Sequence, residues 1–171
     1  MKRMILLSLF CLAGIVMANA QKFALIDMEY IMENIPEYQQ ANNELELASQ
    51  QYQKAVEAKA KEAEALYLAY QKAANTLSAT QRTQKEEAIV AKEREAAELR
   101  KKYFGPEGEM AQKQEALISP IQNRIYEAVK QISSQKGYDA VIDRASATSI
   151  IFASPRIDIS NEVLAKLGYS N

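Results

Sequence analysis

The feature that most limits how this chain can fold is the stretch between Pro36 and Pro120. It is rich in alanine, glutamate and glutamine and holds one internal proline, Pro106. From Tyr38 its apolar residues fall at alternating three- and four-residue steps: Tyr38, Ala41, Leu45, Ala48, Tyr52 and Ala55. That spacing is the mark of a helix with a coiled-coil seam. Two four-residue steps through Lys59 to Ala63 interrupt it, as a stutter does, and relax the supercoil locally. The rhythm resumes at Leu66, Tyr70, Ala73 and Leu77.

A polar stretch, Asn75 to Glu87, decides between a straight rod and a hairpin. Ser78 with Gln81 three residues on is a capping box, in which each side chain takes the other residue's backbone N–H. Asn75 and Thr76 are poor interior helix residues just before it. A second helical pattern follows through Ala88, Ile89, Ala96, Leu99 and Tyr103, then Met110, Leu117, Ile121, Ile125, Ala128 and Ile132, and stops at Gly137. Pro36 and Pro120 lie equally far in sequence from Ser78. Each removes a ladder hydrogen bond, so in a hairpin both interruptions are expected at one height. The chain is therefore read as turning at Ser78, with arms about 60 Å long at about 1.5 Å per residue. Gly105-Pro106-Glu107-Gly108 interrupts the returning arm. With no strand before it and an acid inside it, it reads as a kink or looped-out insert rather than a phosphate loop.

The two ends differ in texture. Lys2 and Arg3, the apolar run Ile5 to Val16 and Ala18-Asn19-Ala20 read as a secretory signal peptide over residues 1–20, cleaved after Ala20. An uncleaved anchor is the weaker alternative, because the run is short for a bilayer crossing of roughly 20 residues. Lys22 to Asp27 reads as a strand and Met28 to Ile35 as a helical turn. Tyr138 to Asp143 and Ser149 to Ala153 read as a hairpin-like pair of β-rich runs. Arg156 to Ile159 is expected to be extended, with Ser160 capping a last helix that Gly168 ends. A sheet this small is marginal alone, and runs such as Ala140-Val141-Ile142 and Ile150-Ile151-Phe152 want cover on both faces, so self-association is expected. The alternative is a monomeric head capped by its own helices. The expected organisation is a β-rich head from residues 21–36 and 121–171 and an α-hairpin arm from 37–120 with its tip near 78. The fold class is α+β.

Composition narrows the chemistry. Cys11 is the one cysteine and lies in the signal segment, and the chain has no histidine. Export without cysteine excludes a disulfide framework. Without His or Cys there is no Ser-His-Asp or Cys-His arrangement and no Cys/His zinc site. No glycine-rich phosphate loop is present, so no catalytic, metal or cofactor residues are assigned, no cofactor is expected, and the chain reads as not an enzyme. Setting aside Lys2 and Arg3 leaves 19 basic against 22 acidic residues, a net charge of −3 that gives no support for nucleic acid. The arms also lack the broad apolar face and lysine-rich opposite face of a membrane-surface helix, so membrane contact is expected to be weak at most.

The order of these segments carries a resemblance. Phe23-Ala24-Leu25-Ile26-Asp27, Ile35-Pro36-Glu37-Tyr38, the Leu77-Ser78 turn, Leu117 to Ile121, Gly137 to Asp143 and Ile157 to Ser160 together resemble the Skp/OmpH family of periplasmic chaperones for outer-membrane proteins, across essentially the whole mature chain. The resemblance implies a homotrimer in which strands of three subunits build a small barrel and three hairpin arms surround a cavity. It implies an ATP-independent holdase that keeps unfolded outer-membrane β-barrel proteins from aggregating. The chain departs from the family's strongly basic best-known members: from Glu37 to Phe104 it carries 11 basic and 11 acidic residues. Between Ala65 and Lys85 there is no acid, while Lys72, Arg82 and Lys85 are present.

On this reading the apolar residues off the seam, Leu47, Tyr67, Leu68 and Val90, are candidates for client contact with Lys72, Arg82 and Lys85. Phe23, Leu25, Val141, Ile142, Ile150, Ile151 and Phe152 are candidates for trimerisation. A seam rich in Ala and Tyr is expected to pair loosely and let the arms splay. A competing reading is an envelope scaffold or spacer whose arms bind one folded partner.

Overall fold

A computed structural model describes residues 21–147 and 149–169, so the signal-peptide assignment lies outside the described residues. The chain runs through β1 (Phe23–Ile26), α1 (Met28–Glu33), α2 (Pro36–Ala73), α3 (Ala79–Phe104), α4 (Glu109–Lys136), β2 (Ala140–Asp143), a 3-10 turn (Pro155–Ile157) and α5 (Ser160–Leu167). It is an α+β fold of long helices with a two-stranded sheet. Two compact units divide it: Met32–Tyr126, and the chain before Met32 joined with the chain from Glu127 onward. No described helix is long and apolar enough to cross a membrane.

The unit Met32–Tyr126 is the hairpin. Its turn has the chemistry the polar stretch predicts: Gln81 N–H donates to Ser78 Oγ at 3.4 Å, and Ser78 N–H donates to Gln81 Oε1 at 3.0 Å. Just before it, the Thr76 hydroxyl and N–H both donate to the Ala73 carbonyl, closing the end of α2. Across the seam, Tyr70 meets Glu86, equally far from Ser78, and Tyr52 stacks on Tyr103. The buried residues of α2 are Ala41, Ala48, Val56 and Ala63. Val56 rather than Ala55 takes the deepest place where the stutter shifts the seam.

The prolines act differently from expectation. Pro36 sits at the first position of α2, where a missing N–H costs nothing because that donor has no partner within the helix. Pro120 lies inside α4, which continues to Lys136. Nor do the two prolines face each other: Lys113 beyond the Gly105–Gly108 turn still meets Glu44 close to the register that holds nearer the tip, but Glu37 pairs with Arg124, so the returning helix slips between Lys113 and Arg124, the stretch that holds Pro120. Ordinary helix closure thus tolerates Pro120, and no common break is built from the pair.

In the other unit β1 pairs with β2 in parallel, Phe23 opposite Ala140 through Ile26 opposite Asp143, and Leu25 forms an isolated parallel bridge to Asp158. The expected hairpin between 138–143 and 149–153 is therefore corrected. β2 takes the buried residues Ala24–Ile26 of β1 as its neighbour, while Ile150–Phe152 has no strand partner among the described residues and is irregular. Arg156 to Ile159 is not fully extended either, since Pro155–Ile157 forms a 3-10 turn. Ser160 is not the cap. It is the first residue of α5, buried, with its hydroxyl accepting the Asp27 N–H at 2.8 Å, while Asp158 Oδ1 accepts the Ser160 N–H at 2.9 Å. A serine placed where it resembles a cap serves here as a tie to the end of β1. Gly168, at φ 90°, ends α5 as expected.

Candidate functional site

Near the turn the hairpin presents exposed apolar and basic side chains, with an open groove along Thr83, Glu87, Val90 and Arg94. Leu47 is 59% exposed and Val90 61% exposed, and Tyr67 and Leu68 are about half exposed. By the pairing of Tyr70 with Glu86, Tyr67 and Leu68 on α2 lie level with Val90 on α3, next to the rung of Lys72, Arg82 and Lys85, all three exposed. Leu47 stands apart, nearer the start of α2. Three of the four apolar candidates and all three cations therefore share one end of the hairpin. The Tyr70 hydroxyl donates to the Glu86 carboxylate, and that hydrogen bond holds the phenol above its ordinary 10.0.

Half-way along the hairpin four charges make a square. Lys59 contacts Glu62 at 3.0 Å within α2, and Lys92 contacts Glu95 at 2.7 Å within α3. Lys59 reaches Glu95 at 3.8 Å and Lys92 reaches Glu62 at 3.5 Å across the seam. The hydrogen bond from Lys59 lowers the Glu62 carboxyl, and the bond to Glu95 raises the Lys92 ammonium. Sequence reading missed this square; the two Lys-x-x-Glu pairs, at comparable distances either side of Ser78, were the available signal.

Further from the turn the rings of Tyr52 and Tyr103 stack at 4.1 Å with 7° between planes, and Phe104 meets Tyr52 edge-on at 6.4 Å. Glu109 accepts from Lys102 and Tyr52, which lowers its carboxyl and raises both partners. Beside this cluster the turn Gly105–Gly108 uses its own N–H groups: Gly105 donates to Lys101 O at 2.8 Å and Gly108 to Gly105 O at 2.9 Å. Donors engaged in this way do not form a phosphate cradle, which supports a structural insert.

Of the residues considered for subunit contact, Leu25 is buried within its own chain, Val141 and Ile150 are half-buried, and Phe23 and Ile142 are partly exposed. Ile151 and Phe152 are 101% and 85% exposed. Tyr126, Phe104 and Ile157 are also exposed apolar residues that sequence reading did not single out. Tyr126 follows the buried Ile125 directly, and a helical wheel drawn past Pro120 is the signal that would have found it. Among the described residues no group of three or more His, Cys, Asp or Glu can hold a metal.

Residues 22–167 match the protein-family model described as Outer membrane protein (OmpH-like). The chain belongs to the OmpH-like family. Among similar proteins, one named Chaperone protein Skp from Yersinia enterocolitica is 27% identical over 156 residues, covering 91% of this chain and 92% of that protein. Another of the same name from Pectobacterium atrosepticum is 24% identical over 148 residues, 86% of each. The crystal structure of an OmpH-like protein from Caulobacter crescentus shares the fold, with a TM-score of 0.66 over 86% of this chain and 83% of that one, at 14% identity. The OmpH-like fold thus accounts for nearly all described residues, the small sheet as well as the long helices.

Proposed function

We propose that this OmpH-like chain is a periplasmic, ATP-independent holdase chaperone. Three copies join through their β segments and hold unfolded outer-membrane β-barrel proteins between their helical hairpins. The observation that carries this is the exposed set Leu47, Tyr67, Leu68 and Val90 on a hairpin whose own seam is closed largely by alanine. A buried methylene-sized group contributes about 0.8 kcal/mol, against about 1.5–3 kcal/mol for a Leu or Phe side chain. The hairpin therefore leaves Leu47, Tyr67, Leu68 and Val90 on its surface, where many weak contacts to an unfolded chain add by avidity over three copies. Membership of the family and the names of its relatives favour the same reading.

The test is dilution of a denatured outer-membrane protein into this protein, with light scattering followed and native mass measured on the same sample. Suppressed scattering with a mass of three subunits supports the proposal. Full aggregation, or a folded single subunit at micromolar concentration, overturns it. A tight saturable complex with one folded envelope protein and no effect on aggregation would assign the chain to scaffolding instead.

A further inference from the structure

We infer that Lys59, Glu62, Lys92 and Glu95 form an electrostatic latch that sets where the hairpin opens, and that the part of the hairpin beyond it opens with rising ionic strength. The inference rests on the hairpin's geometry alone and stands or falls without any client.

The stutter is the starting point. Buried positions on α2 run Ala41, Ala48, Val56, Ala63, and the slot between the last two falls to Lys59. A lysine in a seam slot cannot close it as an aliphatic residue does. Its stem is partly covered, with 37% of the side chain exposed, and Lys92 opposite is 33% exposed, so both lay their methylenes along the seam and turn their ammonium groups outward. There they meet the carboxylates. The two contacts within a helix are short, 3.0 and 2.7 Å, and the two that join the helices are long, 3.8 and 3.5 Å. Cross-helix closure at this level is thus made of attraction across wider gaps at a solvent-facing site, the kind that salt weakens most.

The neighbouring levels differ on either side. On the Gly105 side stands the aromatic cluster of Tyr52, Tyr103 and Phe104, which salt leaves unchanged. On the Ser78 side the buried residues are Ala63 and Ile89 alone. Ionic closure therefore separates a firmly stacked segment from a weakly packed one, and its loss releases the weak side only.

The experiment is amide hydrogen exchange on the full-length protein without client, from about 0.01 M to about 1 M NaCl, which shortens the screening length from roughly 30 Å to about 3 Å. Exchange over residues 63–95 is expected to quicken about threefold to fivefold, the size that two exposed ion pairs give, with β1 and β2 unchanged. Lys59→Glu at low salt places three carboxylates around Lys92 and is expected to reproduce or exceed that acceleration. Lys59→Glu with Glu95→Lys restores the 59–95 attraction beside the untouched Lys92–Glu62 pair and is expected to recover most of the protection, although the 59–62 and 92–95 contacts within each helix are now repulsive. Exchange over 63–95 that ignores salt, or a double variant no slower than Lys59→Glu, overturns the latch. Lys59→Gln, which adds no repulsion, covers failure of Lys59→Glu to fold. It removes the Lys59–Glu95 attraction and leaves Lys92–Glu62 in place, so salt sensitivity is expected to fall by about half, and undiminished sensitivity overturns the latch equally.

Discussion

Replacing Gly108 by alanine asks whether the turn between α3 and α4 is a packed joint or a slack loop. A Cβ at Gly108 would lie 2.8 Å from Gly105 N, 2.8 Å from Tyr103 O and 2.9 Å from Lys102 O. All three are backbone atoms, so no side chain can swing away and the turn itself must move. One at Gly105 would run into Lys101 O, the oxygen that accepts the Gly105 N–H. Overfilling of this kind costs about 1–3 kcal/mol, offset by about 0.4–1 kcal/mol from the lower freedom of the unfolded alanine chain. The expected net loss is about 1–2 kcal/mol, a factor of roughly 5–30 in the folding equilibrium. Urea melts at one fixed protein concentration read the loss. With no tryptophan in the chain, near-ultraviolet dichroism reads the tyrosines, among them the Tyr52–Tyr103 stack beside the turn. Gly137→Ala is the comparison. Gly137 stands at φ 67° with nothing within 4 Å of a new Cβ, so its penalty is backbone strain of about 1–2 kcal/mol, and any tyrosine change is expected from Tyr138 next to it rather than from the Tyr52–Tyr103 stack. A Gly108→Ala protein with an unchanged midpoint and unchanged tyrosine dichroism would show that the turn yields, and that its close backbone contacts have no energetic weight.

Other outcomes follow from the same geometry. Ser78→Ala removes the capping box and is expected to cost about 1 kcal/mol, seen as faster exchange over residues 74–85 with β1 and β2 unaffected. Glu62 and Glu109 sit below their ordinary 4.5, held by hydrogen bonds from Lys59 and from Lys102 with Tyr52. Burial alone would raise Asp143 above 3.8, but the Met28 N–H, the Ser146 hydroxyl and the Ala145 N–H bring it below. Their stabilisation is complete above those ordinary values and is lost as pH falls through the lower folded ones. Lys92, Lys102, Lys113 and Lys136 sit above 10.5 through their carboxylate partners, so their share is complete below 10.5 and is lost as pH rises further. Thermal midpoints against pH should be flat in between and fall on both sides; a step near pH 6–7, where histidine would titrate, would contradict this assignment. Ile151→Ser with Phe152→Ser is expected to lower the native mass to one subunit, and an unchanged mass would remove these two residues from the proposed interface. Replacing Leu47, Tyr67, Leu68 and Val90 together by serine is expected to weaken holding of a denatured outer-membrane protein with native mass unchanged; undiminished holding would take them out of the proposed contact surface.

Local rules made the hairpin legible. Ser78 and Gln81 satisfy each other within one turn of chain, and the seam from Tyr38 to Leu77 follows a spacing that any helix enforces, so no distant contact was needed to read them. Reading failed where a residue's partner lies far along the chain. Ser160 has the local look of a cap, but its hydroxyl accepts the N–H of Asp27, and the helix starts after Ile159 with no side-chain cap, Asp158 accepting only the Ser160 N–H. Residues 138–143 and 149–153 look like neighbours by proximity, yet the buried run Ala24–Ile26 takes the first of them in parallel and leaves the second irregular. Pro120 misled in another way, because a proline can remain inside a helix whose neighbouring turns, Leu117, Ile121 and Ile125, pack well enough to hold it. Of the candidate surface, the seam spacing leaves Leu47, Tyr67, Leu68 and Val90 outside it, and they are exposed, but the ion square depends on register across the hairpin.

The distribution of large buried side chains gives the hairpin a direction. Ile35, Ile121 and Ile125 are buried at the end away from Ser78, Tyr52 and Tyr103 stack further along, and beyond the ion square only Ala63 and Ile89 are buried. At about 1.5–3 kcal/mol for a large aliphatic group against about 0.8 for a methyl-sized one, the end with Ile35, Ile121 and Ile125 holds the helices together most strongly, while the stretch beyond the square has Ile89 as its one large buried side chain. Ser78 and Gln81 close the turn itself but add nothing to the seam between them and Ile89. Opening is therefore easiest just below the turn, and loss of the ion square is expected to favour it throughout residues 63–95. If that order holds, exchange protection should rise in steps from Leu77 to Ala63, then to Tyr52, then to Ala41. Uniform protection along α2 would mean that helix propensity rather than seam packing governs the hairpin.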